Sequence, residues 1–153
     1  MSVNELIRTG ADVARLDAEA ERHETPCGTG TMVWRRWGQG SPVVLFHGGS
    51  GSWTHWIKTI PAFAPEFEVW APDIPGLGDS ADAPDMANPM SCATVAAEGL
   101  KALIPPECRP QLVCFSFGGQ VGTMMAGIVG DHLKNLLLIG TAALGIKRPP
   151  FNF

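Results

Sequence analysis

The chain has 153 residues, about one ordinary domain, and its 45% apolar content and mean hydropathy of +0.09 fit a soluble globular protein. A net charge of −4 without a compact run of either sign argues against nucleic acid and against an anionic membrane surface as partners. The 18 glycines and 13 prolines exceed the usual share but stay below the level of disorder, so many tight turns are expected.

Residues 3 to 22 read as an amphipathic helix. Ser2 with Glu5 gives a capping-box pattern, and Val3, Leu6, Ile7, Val13 and Leu16 make one apolar face. Glu5, Arg8, Asp12, Arg15, Glu19 and Arg22 make the solvated one. This charged start has no apolar core and no cleavage site, so it does not read as a secretory signal. The most apolar region, 121 to 145, is interrupted by Asp131, His132, Lys134 and Asn135, too early for a membrane span. Cys27, Cys92, Cys108 and Cys114 form no C-x-x-C pair and no zinc-like spacing with histidine, so no metal is implied. Reduced thiols in a cytoplasmic protein are the expectation. Two units are expected, the helix within 1–24 and a larger unit over 25–153.

Pro26, Gly28 and Gly30 break the first helix, and Thr31 to Trp37 reads as a strand that turns at Gly38 and Gly40. Val43 to Phe46 is a buried strand ending in His47, Gly48, Gly49, Ser50, Gly51 and Ser52. A helical segment follows from about Trp53, and Pro61 starts a new turn. The strand Phe67 to Ala71 runs into Pro72-Asp73-Ile74-Pro75-Gly76-Leu77-Gly78-Asp79-Ser80. Ser91 can cap a helix to about Ile104, where Pro105 and Pro106 stop it. The apolar strand Leu112 to Phe115 leads into a helix with Val121, Met124, Met125, Ile128 and Val129 on one stripe, and Leu136 to Ile139 makes a last buried strand. Strand and helix thus alternate from residue 42, which predicts a mostly parallel sheet with helices on both faces.

The change from strand to helix happens across one residue, Ser116, whose backbone must be strained and whose neighbours Gly118 and Gly119 have no side chains to obstruct it. Cys114-x-Ser116-x-Gly118 resembles the G-x-S-x-G nucleophile elbow of the α/β-hydrolase superfamily, with Cys114 in place of the first glycine. LFHGGSGSW (45 to 53) looks like the H-G loop after the third strand of that superfamily, and APDIPGLGDS (71 to 80) like its D-x-P-G-x-G-x-S segment after the fourth. The three motifs come in the family's order and at its usual separations, and the resemblance covers about residues 27 to 146.

The resemblance implies a fold of α/β-hydrolase type, incomplete after the sixth strand, and a serine-nucleophile hydrolase of an ester-like, lactone or carbon–carbon bond next to a carbonyl. Serine in place of aspartate at the elbow argues against the carboxylate mechanism of epoxide hydrolases and dehalogenases. By the same resemblance Ser116 is the nucleophile, and the backbone N–H groups of Phe117 and Gly49 form the oxyanion hole. His47 is expected to be a structural hydrogen-bonding residue, and Asp73 and Asp79 to fix their loop. His55 and Trp53 either line the pocket or pack a helix. No organic cofactor is implied, and the expected partner is a small-molecule substrate.

The family's acid and base would follow the serine. After Ser116 the only acid is Asp131 and the only histidine is His132, at the far end of the helix, ~20 Å along it. The expectation is therefore the N-terminal part of such a hydrolase, a fragment whose strand Leu136 to Ile139 is an open apolar edge that invites a homo-oligomer. Two other readings stand beside it. One is a non-catalytic binding or assembly module on the hydrolase scaffold. The other is a nucleotide-binding domain with GGSGSW as a phosphate loop and Asp73 ~20 residues on, against which Thr54 stands where a third glycine belongs.

Overall fold

The computed structural model describes residues 9–141. Thr9 opens the first helix, α1 (Gly10–Ala18), through a reciprocal capping box with Asp12, and Leu16 is its buried anchor. The Ser2 and Glu5 cap expected from the sequence lies outside the described residues. The helix expected to reach Arg22 ends at Ala18, and Glu21–Cys27 is instead a strand, β1. Its polar sequence reads as a helix surface, but it pairs along its whole length with β2 (Gly30–Trp37). The hairpin closes through Gly28, whose φ of +54° a residue with a Cβ adopts only with strain.

The remaining elements follow the expected alternation: β3 (Ser41–Phe46), a 3₁₀ turn (Trp53–Trp56), a short α2 (Ile60–Phe63), β4 (Phe67–Pro72), α3 (Pro89–Leu103), β5 (Gln111–Phe115), α4 (Phe117–Val129) and β6 (Asn135–Ile139). The cap of α3 is Asn88 and not Ser91. Asn88 Oδ1 accepts the Met90 amide and Pro89 fills the first turn, while the Ser91 hydroxyl accepts the Asp85 amide in the preceding loop.

The six strands form one sheet in the order β1-β2-β4-β3-β5-β6, parallel from β4 to β6 and antiparallel at β1 and β2. Alternation along β3 sends Val44 and Phe46 to one face and Val43 and Leu45 to the other, and both faces are covered. On the first, α3 and α4 pack Ala93, Ala97, Leu100, Val121 and Met125 against Trp34, Phe46 and Leu112. On the second, α1, the 3₁₀ turn and α2 bring Leu16, Trp53, Trp56 and Ile60 to Trp37, Leu45 and Val69. That second cover thins out toward β6, leaving an apolar hollow of about 430 Å³ among Trp56, Phe63, Val113, Leu137 and Ile139. Strand β6 is the sheet edge, with Leu137 56% exposed. Among the described residues no helix is long and apolar enough to cross a membrane.

Candidate active site

Strand β5 ends at Phe115 and α4 begins at Phe117, so Ser116 alone makes the turn, at φ +53° and ψ −116°. A non-glycine residue held there costs about 1–3 kcal/mol and persists only where its surroundings hold it. They do so here. The Ser116 amide donates to the Ile139 carbonyl at 2.9 Å, and its own carbonyl accepts the Gly119 amide at 3.0 Å. The hydroxyl makes no capping bond to the helix. Gly118 is required by close approach, since a Cβ on it would collide with the His47 carbonyl oxygen and lie 2.8 Å from that of Phe46. Cys114, where the elbow pattern has glycine, is accommodated by a different glycine: a Cβ on Gly122 would collide with its Sγ. Burial pushes the Cys114 thiol up to about 12, so it packs as a small apolar group.

The loop after β3 lies against this turn. A Cβ on Gly48 would sit 3.3 Å from Ser116 Cβ, and one on Gly49 would sit 3.5 Å from Phe117 Cβ. His47 is fully buried, its Nε2 accepts the Ile74 amide at 2.9 Å and its Nδ1 faces the Gly48 carbonyl at 2.8 Å. Those partners assign the neutral form with the proton on Nδ1, donated to Gly48. Desolvation holds the imidazole below its ordinary pKa, against the opposing pull of the Gly48 carbonyl and Asp73. No peptide bond is cis among the described residues, so the Gly49 N–H points opposite to the Gly48 C=O that His47 holds. Neither the Gly49 nor the Phe117 amide finds an acceptor among the described residues. Both belong to the region around the N-terminus of α4, where unpaired N–H groups and the helix dipole favour negative charge.

Asp73, at the end of β4, ties three segments together. Its carboxylate accepts the Trp53 amide at 2.7 Å and the Asp79 amide at 3.0 Å, and pairs with Arg35 Nη1 at 3.0 Å. Arg35 is itself buried. It also binds Asp17 on α1 at 2.6 Å and Asp79, and its guanidinium lies 5.0 Å from the Trp53 ring. The hydrogen bond of Asp79 with Arg35 holds its carboxyl below the ordinary value. Asp73 and Asp79 therefore have the loop-fixing place that the resemblance gave them. The Ser80 hydroxyl adds to it by donating to the Asp73 carbonyl at 2.6 Å and accepting the Val33 amide at 2.9 Å. Arg35 escaped the sequence reading. Its signal was present: alternation in TMVWRRW places it on the face of Val33 and Trp37, where a cation needs buried acids.

Of the two residues left between pocket and packing, Trp53 is core, stacked 5.6 Å from Trp37. His55 sits at the loop: its Nδ1 accepts the Gly48 amide at 3.1 Å and its ring meets Phe115 edge-on at 5.8 Å. A cleft of about 240 Å³ opens beside the loop, bounded by Gly49, Ser50, Pro75, Leu77, Met86 and Phe117. His132 is at the other end of α4, buried, with Nε2 on the Ile104 carbonyl at 2.8 Å. The segment after the H-G loop is a four-residue 3₁₀ turn, which offers a phosphate no long helix N-terminus, so the nucleotide-binding reading loses its structural basis. Among the described residues there is no group of three or more His, Cys, Asp or Glu that could hold a metal ion.

Residues 43–153 match the sequence model of the alpha/beta hydrolase family. The chain is 42% identical over 65 residues to the soluble epoxide hydrolase of Corynebacterium sp. (strain C12), covering 42% of this chain and 23% of that protein. It is 30% identical over 113 residues to the pimeloyl-[acyl-carrier protein] methyl ester esterase of Aeromonas hydrophila, covering 74% and 42%. The structure resembles that of the N-acyl homoserine lactonase AidH complexed with N-butanoyl homoserine, with a TM-score of 0.69 and 26% identity over 80% of this chain and 44% of that one. The chain thus spans less than half the length of these relatives. With its sheet order, its serine turn and its H-G loop accounted for, the chain belongs to the alpha/beta hydrolase family.

Proposed function

We propose that this chain carries the nucleophile and oxyanion-binding half of a serine hydrolase acting on an ester-like, lactone or carbon–carbon bond next to a carbonyl. The observation that carries the reading is the strained Ser116, with its hydroxyl uncommitted to the helix and the amides of Gly49 and Phe117 beside it. In the reaction the Ser116 oxygen adds to the acyl carbon, the carbonyl π-electrons move to its oxygen, and the two amides hold that oxyanion; each such donor is worth ~3 kcal/mol of barrier. The apolar cleft at Leu77, Met86 and Phe117 receives part of a small-molecule substrate. The esterase and lactonase relatives favour an ester or lactone bond, and serine at the elbow disfavours the carboxylate route to epoxides.

The serine proton needs a base, and the histidines of this chain do not supply one. The lone pairs of His47 and His55 are taken by the Ile74 and Gly48 amides, His132 is a helix length away, and His23 lies on the β1 hairpin, far along the sheet order. The alternative reading is a non-catalytic binding or assembly module on the same scaffold. Treatment with a fluorophosphonate probe in imidazole buffer, which supplies a base from solution, decides between them by intact mass. Labelling that disappears in Ser116→Ala supports the nucleophile, and an unlabelled but cooperatively folded protein refutes it. A cytoplasmic location is part of this reading.

A further inference from the structure

His55 does more than fill space beside the H-G loop. Gly48 has two backbone polar groups, and a different histidine holds each. His47 Nδ1–H donates to its carbonyl at 2.8 Å, and His55 Nδ1 accepts its amide at 3.1 Å. The partners require opposite neutral forms, with the proton on Nδ1 of His47 and on Nε2 of His55. The rings stand edge-on with centroids 6.0 Å apart, and His55 is pinned on its other side by Phe115 at 5.8 Å. The far edge of the His55 ring lies where a Cβ on Gly51 would collide with Cε1 and Nε2, so the loop wraps around the imidazole.

Each of these bonds orients one peptide plane. The amide held by His55 belongs to the His47–Gly48 peptide, and its carbonyl points the opposite way, onto Gly118 at the first turn of α4. The carbonyl held by His47 belongs to the Gly48–Gly49 peptide, and the Gly49 N–H points away from it. Glycine has no side-chain preference to fix either plane, so both directions depend on the two imidazoles.

We propose that His55 is a positioning residue that, through the Gly48 amide, sets the first of two linked peptides and with it the direction of the Gly49 N–H toward Ser116. The proposal rests on the serine-hydrolase reading for its catalytic consequence, but not for its structural content. Asparagine is the discriminating substitution, because its Oδ1 stands where His55 Nδ1 stands and accepts the same amide, whereas alanine leaves that amide without a partner.

Two measurements on the full chain test it. In the parent, ¹⁵N NMR is expected to show His55 protonated on Nε2, a coupling across the hydrogen bond between the Gly48 amide nitrogen and His55 Nδ1, and slow hydrogen exchange at Gly48. Exchange at Gly48 is expected to become fast in His55→Ala and to stay slow in His55→Asn. The rate of fluorophosphonate labelling at Ser116 in imidazole buffer, which supplies a base from solution, with Ser116→Ala as background, is expected to fall about 10- to 100-fold in His55→Ala and to recover to within about threefold in His55→Asn. A proton on Nδ1 of His55, or equal behaviour of the alanine and asparagine variants in exchange or in labelling, overturns the proposal. A parent that is not labelled at all refutes the hydrolase reading instead, and Gly48 exchange in the two variants then decides the positioning role by itself.

Discussion

Replacing Arg35 by methionine removes a buried cation while keeping most of the volume of its stem. The side chain is 4% exposed and meets three carboxylates, whose exposures rank their contributions. Asp17 and Asp79 are about half exposed, at 48% and 52%, so losing either pairing costs about 0–1 kcal/mol. Asp73 is 1% exposed and would keep only the Trp53 and Asp79 amides, an uncompensated buried charge that costs about 3–5 kcal/mol. Against a typical domain stability of about 5–15 kcal/mol this is a fifth or more. Urea unfolding of Arg35→Met at pH 7 is expected to show a loss of that size with an unchanged slope. Asp73→Asn in the same background is expected to recover about 1–3 kcal/mol relative to additivity, because it removes the stranded charge. A loss below about 1 kcal/mol, or strict additivity in the cycle, would refute the view that one ion pair holds the β4 loop to β2 and the 3₁₀ turn.

Gly122→Ala is expected to destabilise by about 1–3 kcal/mol through its collision with Cys114 Sγ, and Cys114→Gly in the same chain is expected to relieve most of that collision, read by thermal denaturation. His47 is neutral in the fold with a pKa held below its unfolded value of about 6.5, so it contributes stability above that pH that is lost as pH falls through the lowered folded value. Urea midpoints between pH 7 and 5 are expected to drop in the parent and to flatten in His47→Asn. Iodoacetamide on the native protein is expected to alkylate Cys108, the exposed thiol, and to spare Cys27, Cys92 and Cys114; peptide mass mapping that finds Cys114 modified first would contradict its packed, high-pKa setting.

The strand and helix order from residue 42, the turn at Ser116 and the place of the H-G loop were legible in the chain because each depends on local signals. These are a short apolar run, a change of period from two to 3.6, and glycines at fixed offsets. Strand β1 was not legible. Glu21, Arg22, His23 and Glu24 look like a helix surface, and only pairing with β2 makes them a strand. The cap of α3 was misplaced by three residues for a related reason. Ser91 and Asn88 are both competent caps, and the Asp85 amide decides between them by engaging Ser91.

By itself, then, the sequence determined the layered α/β architecture and which residue stands at the strained turn, since patterning and backbone freedom are properties of neighbours along the chain. Only the tertiary structure decided that Arg35 and Asp73 share one buried ion pair, that Gly122 makes room for Cys114, and that His47 and His55 hold opposite sides of Gly48. Arg35 and Asp73 are 38 residues apart, and a buried charge or a peptide plane takes its state from whatever packs against it.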